Sequence, residues 1–102
     1  MSMLHIVNKS PFERLSLETC LRLAKPGAAV LLLEDGVYAA LASTARSSLV
    51  EDRNNEINFF VLGSDLDARG LGGRSLIETI ETVDYGGFVD LVIDHDAVHS
   101  WL

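Results

Sequence analysis

Covalent cross-linking has almost no material in this chain. One cysteine in 102 residues excludes an internal disulfide and leaves no mark of an oxidising compartment. There are only two prolines, both at element boundaries, and no Pro/Ser-rich linker, internal repeat or low-complexity tract interrupts the chain. Cations are scarce too: eight Lys and Arg stand against 15 Asp and Glu, a formal charge of −7. That balance argues against direct nucleic-acid binding, which draws its affinity from clustered Lys and Arg on phosphates. No apolar run approaches the roughly 20 residues that a spanning helix requires. The opening residues Met1-Ser2-Met3-Leu4-His5 lack the basic and apolar regions of a signal peptide. The expectation is a cytoplasmic single domain over residues 1–102, close to the common domain size of about 100–150 residues.

What the chain does have is apolar content, 48% of its residues. That is too much for a disordered chain, so a packed core is expected. A body this small keeps a good fraction of its residues outside, and the apolar surplus is a first hint of subunit contacts.

Leu4 to Val7 reads as a short strand. Ser10-Pro11-Phe12-Glu13 predicts a helix start, with Ser10 as cap, Pro11 at the first helical position and Glu13 closing a Ser-x-x-Glu capping box. That helix is expected to run to about Lys25, where Pro26-Gly27 stops it. Ala29–Leu33 is an unbroken apolar run and Ile57–Leu62 one interrupted only by Asn58, as in strands covered on both faces. Val37–Ala42 looks helical, and 43–55 mixes a second helical piece with loop. Gly63–Gly73 is a turn-rich connection with about one helical turn at Asp65–Arg69. Ile80–Val83 is a weaker strand, and the spacing of Phe88, Leu91, Val92 and Val98 predicts a final helix. Alternating strands and helices imply an α/β fold, a small three-layer sandwich with a mainly parallel sheet and right-handed crossovers. In such sheets ligands gather beyond the C-terminal strand ends, here Asn8–Ser10, Glu34–Gly36 and Gly63–Asp67.

Cys20 is the only thiol. On a helical wheel it falls near the centre of the apolar arc formed with Phe12, Leu15, Leu17, Leu21, Leu23 and Ala24, several turns beyond Pro11. The positive end of the helix is therefore too far away to stabilise a thiolate. A cysteine packed as a small hydrophobe is the ordinary reading, unless that face meets a crevice or another subunit. His95-Asp96-Ala97-Val98-His99 is like the His-Glu-x-x-His zinc arrangement, which places two ligands on one helical face. Asp replaces the Glu, however, and His5 is the sole remaining histidine to serve as the third ligand that a catalytic zinc needs. Solvated histidines near a helix end are expected, and no metal. Gly63–Gly73 fails as a phosphate loop, having no Gly-Lys-Ser/Thr, and fails as a calcium loop, with Leu76 where a bidentate Glu belongs. Glu34-Asp35 sits where α/β enzymes keep acid/base groups, but neighbouring side chains in such a turn diverge. Asp90 and Asp94 read as a solvated helical face.

Several strings in order along the chain resemble the DsrH/TusB family of sulfur-relay proteins. They are Met3-Leu4-His5 with Lys9-Ser10-Pro11-Phe12, then Leu31–Val37 with Ala39-Ala40, and Asp65-Leu66-x-Ala68-Arg69-Gly70-Leu71. Asp84-Tyr85, Phe88-Val89-x-Leu91, His95 and Trp101 complete the series. The resemblance implies a DsrE/F/H-like variant of the flavodoxin-like sandwich and a subunit of a heterohexameric DsrEFH/TusBCD-type sulfurtransferase complex. Its implied partners are DsrE/TusD-like and DsrF/TusC-like sister chains and a DsrC/TusE-like sulfur carrier, with no cofactor and no membrane. The main sulfur-accepting cysteine is implied to lie in the DsrE/TusD-like partner. This chain would act mainly as scaffold, with Cys20 as a candidate secondary sulfur acceptor and a catalytic activity of its own left open. Cys20 matches a cysteine of the DsrH branch that the TusB branch commonly lacks, which points to intracellular sulfur oxidation. The alternatives are sulfur relay for 2-thiolation of the tRNA wobble uridine, or a regulatory domain binding a small ligand at the Glu34–Gly36 and Gly63–Asp67 loops.

Overall fold

A computed structural model describes residues 2–101. Five parallel strands form one sheet in the order β4-β3-β2-β1-β5. They are β1 (Met3–Val7), β2 (Ala29–Leu32), β3 (Asn58–Leu62), β4 (Glu81–Val83) and β5 (Ala97–Trp101). The helices are α1 (Ser16–Leu23), α2 (Ser47–Glu51), α3 (Gly63–Ala68) and α4 (Tyr85–Asp94), and a 3-10 helix spans Glu34–Ala40. The α/β three-layer sandwich with a parallel sheet expected from the strand–helix alternation is the observed architecture.

The two-residue period of the strands divides the core. Val7, Val30, Leu32, Phe59 and Val61 point to one face, where α1, the 3-10 helix, α2 and α3 cover them. Leu4, Ala29 and Leu31 point to the other face, against Phe88 and Leu91 of α4. Every residue of β2 is buried, as its unbroken apolar run predicts for a central strand.

Three local expectations are corrected. First, the Ser10 motif makes a single turn rather than a helix start. Ser10 Oγ accepts from Phe12 N at 3.2 Å, and its carbonyl accepts from Glu13 and Arg14 N. The helix begins only at Ser16, with no side-chain cap. A capping box is local chemistry that a turn satisfies equally well, and continuing the helix from Ser10 would bury nothing more, since Phe12 and Leu15 remain exposed. Second, the final helix ends at Asp94. Third, Ala97 and Val98, expected at the end of that helix, open strand β5 along β1, which pairs His5 with His99 and Val7 with Trp101. Pairing with a buried neighbour overrides the weak helical spacing there.

Gly36 is the glycine, among the described residues, at which an added side chain would strike the backbone of another strand. A Cβ at Gly36 would run into the Val7 carbonyl oxygen, so the chain leaving β2 can cross the end of β1 only without one.

Candidate functional site

Cys20 lies on the inner face of α1, fully buried with Leu17 and Leu21. Its place in the apolar arc predicts this burial. Burial disfavours the thiolate and pushes the thiol up to about 12, a rise only partly offset by the Arg53 guanidinium. Arg53 donates from Nη1 to the Leu21 carbonyl and from Nη2 to the Ala24 carbonyl at 3.1 Å. These are carbonyls of the last turn of α1, which have no partner within the helix. Arg53 also pairs with Glu56 at 3.1 Å. Nothing local in the sequence marks this clamp, because it joins residues about thirty positions apart.

At the C-terminal ends of the strands, two of the candidate loops tie to each other. Glu34 N donates to Asp65 Oδ2 at 2.6 Å, and Arg69 Nε donates to Asp35 Oδ1 at 2.9 Å. Asp65 and Asp35 are therefore engaged in holding the loops, and Glu34 takes a positive φ of 50° at the junction. Nearby, Asn8 Oδ1 is a buried acceptor without a hydrogen-bond donor.

The histidines do not share a helical face. His95 stands at the end of α4 with Nδ1 2.7 Å from the Leu91 carbonyl, where it serves as a terminal partner for the helix. His99 lies in β5 and stacks on Trp101 at 4.4 Å between ring centroids. His5, buried on β1, accepts from Trp101 Nε1 at 3.0 Å through Nδ1, so its proton sits on Nε2. Burial first, and then the charge of His99, hold His5 below its usual range. Among the described residues no three His, Cys, Asp or Glu side chains converge as metal ligands. The two ends of the His95–His99 string have gone to different elements, because the chain changes from helix to strand between them.

The chain matches the family model described as DsrH like protein over residues 9–98. It is 38% identical to Protein TusB of Serratia proteamaculans (strain 568) over 99 residues, covering 97% of this chain and all of that protein. Identity and coverage are the same for Protein TusB of Yersinia pestis (strain Pestoides F) and of Escherichia coli O6:K15:H31 (strain 536 / UPEC). The chain belongs to the DsrH/TusB family of sulfur-relay proteins. Solved structures show the same fold in more distant sequences. The ychN protein from E. coli superposes with a TM-score of 0.78 at 20% identity, covering 98% of this chain and 99% of that one. A protein of unknown function, MTH1491 from Methanobacterium thermoautotrophicum, gives 0.74 at 20% identity, over 97% and 96% of the two chains.

Ser10, Asp35 and Asp65 of the candidate loops are engaged in hydrogen bonds, and the one thiol is enclosed. Apolar side chains, by contrast, stand exposed on α4, among them Tyr85 and Ile93. They recur at 85, 89, 92 and 93, a helical spacing that could have been read from the sequence. Phe88 and Leu91 between them face the sheet. No helix among the described residues is long and apolar enough to cross a membrane.

Proposed function

We propose that this chain is the scaffold subunit of a DsrEFH/TusBCD-type sulfurtransferase complex. It folds as one domain over residues 1–102 in the cytoplasm and holds DsrE/TusD-like and DsrF/TusC-like sister chains. The assembled complex passes persulfide sulfur to a DsrC/TusE-type carrier. The burial of the only thiol carries this reading. In sulfur relay an acceptor thiolate attacks the outer sulfur of a donor persulfide. One S–S bond forms as another breaks, and the donor departs as thiolate, so a single sulfur atom moves without an oxidant. A thiol pushed up to about 12 and closed to solvent offers no such nucleophile. The accepting cysteine therefore belongs to a sister chain, and Cys20 takes sulfur only in a state of the complex that uncovers the inner face of α1.

Cys20 itself, as a cysteine of the DsrH kind, favours service in the oxidation of stored sulfur. Identity to TusB proteins over nearly the whole chain favours wobble-uridine thiolation as strongly. Co-expression with the two sister chains tests the scaffold role. A stable ternary complex is expected, and a chain that stays alone beside both partners defeats the proposal. Mass spectrometry after incubating the complex with a sulfur donor tests Cys20. The expected spectrum has no added sulfur on this chain. A one-sulfur gain that vanishes in Cys20→Ser would make it an acceptor. Pairing the complex with carriers from each pathway then distinguishes the two services by which one receives sulfur.

A further inference from the structure

Charge is distributed very unevenly along this chain. The 28 residues from Ser75 to Leu102 contain six acids and no Lys or Arg, while the preceding 74 nearly balance with nine acids and eight cations. Helix α4 lies within the acidic third and is the only helix packed on its face of the sheet among the described residues. Five strands about 4.8 Å apart make a surface more than 20 Å wide, whereas one helix with its side chains covers about 10 Å. That face is left half-clothed. Accordingly, α4 buries none of its residues fully. Tyr85 (68% exposed), Val89 (43%), Val92 (38%) and Ile93 (72%) form a stripe beside its sheet-facing side. Asp90 and Asp94, exposed on the same helix, border that stripe.

We infer that the α4 stripe is the surface through which this chain binds a sister subunit, and that the occupant presents an apolar face rimmed by Lys and Arg. This rests on the scaffold reading above and says where on the chain the contact is made. Charge complementarity selects the occupant. Apolar side chains at the centre supply affinity by excluding water, and an opposite-sign rim steers the approach and rejects wrong partners. A second copy of this chain is the wrong partner. Twofold pairing is isologous, so the same acidic third would face itself with no cation from either side to offset it. Exposed apolar patches elsewhere do not share this character. Phe12 and Leu15 stand exposed beside Arg14.

The test uses the chain co-expressed and purified with both sister subunits, with three variants compared against wild type. Val89→Lys with Ile93→Lys puts charge into the apolar stripe and is expected to weaken assembly by at least about 30-fold, the scale of a lost hot spot. Asp90→Lys with Asp94→Lys alters only the rim. It should slow association about tenfold at low salt and reduce the loss of rate between about 50 and 500 mM salt. Phe12→Lys with Leu15→Lys is the control and should assemble as wild type does. All substitutions are at exposed positions, and circular dichroism confirms that each variant remains folded. Wild type failing to assemble defeats the scaffold reading itself. Wild type assembling while the stripe variant does so within about threefold overturns the surface assignment alone. Self-association of the isolated chain that the stripe variant abolishes replaces the basic partner with a second copy, and also overturns it.

Discussion

In the folded chain Cys20 should be nearly inert to thiol reagents, and the size of the effect follows from its surroundings. Burial raises the thiol from 9.0 to about 12. Three pH units reduce the thiolate fraction about a thousandfold at any pH below the lower value. Since the side chain also has no solvent exposure, a reagent must wait for α1 to open, which suppresses the rate further. The assay is modification by Ellman's reagent near pH 8, native against urea-unfolded. We expect native labelling to be slower by at least about three orders of magnitude. Native labelling within tenfold of the unfolded rate would refute both the burial and the argument for a scaffold. The same group makes stability depend on alkali. Above 9.0 the unfolded chain has released the proton that the native chain keeps until about 12. The unfolded state then binds fewer protons, so stability falls as pH rises through that window, by at most about 1.4 kcal/mol per unit. Cys20→Ala should remove this part of the slope, read as the difference between the two proteins' urea midpoints across that range.

Other outcomes follow from the fold. Gly36→Ala forces a methyl onto the Val7 carbonyl and should cost about 3 kcal/mol or more. For a domain of this size that lowers Tm by roughly 10–25 °C, and an unchanged melting curve would count against the close crossing. Arg53→Met strips the last turn of α1 of its two donors and should cost about 1–2 kcal/mol in urea unfolding. A loss no greater than that of Glu56→Gln would show the clamp to be idle. Lowering the pH should weaken the fold through His5. Its folded-state value lies below 6.5, so the unfolded chain takes the proton first and stability declines as pH drops from 6.5 towards that lower value. Trp101, the sole tryptophan, reports the change by fluorescence, and His5→Asn should flatten the dependence.

The strand–helix alternation and the buried character of β2 and β3 are legible because they reside in local periodicity. Cys20 could be placed inside for the same reason: Leu17, Cys20 and Leu21 fall on one side of any helix that contains them. Boundaries were less legible. Ser10 and Glu13 carry the chemistry of a helix start, yet that chemistry is spent on a turn, since whether a helix continues depends on what its next turn buries. The helical spacing of His95 and His99 is one that the chain abandons between them.

Sequence by itself determined the layers, the acidic and apolar surplus, the enclosed cysteine and the family. Tertiary structure decided that residues 97–101 complete the sheet, because only the free edge of β1 rewards an extended conformation there. It also decided that α4, among the described residues, stands alone on one face of the sheet. A helical wheel shows that its apolar arc is wide, but only the packed sheet shows which part of that arc remains uncovered and open to a partner.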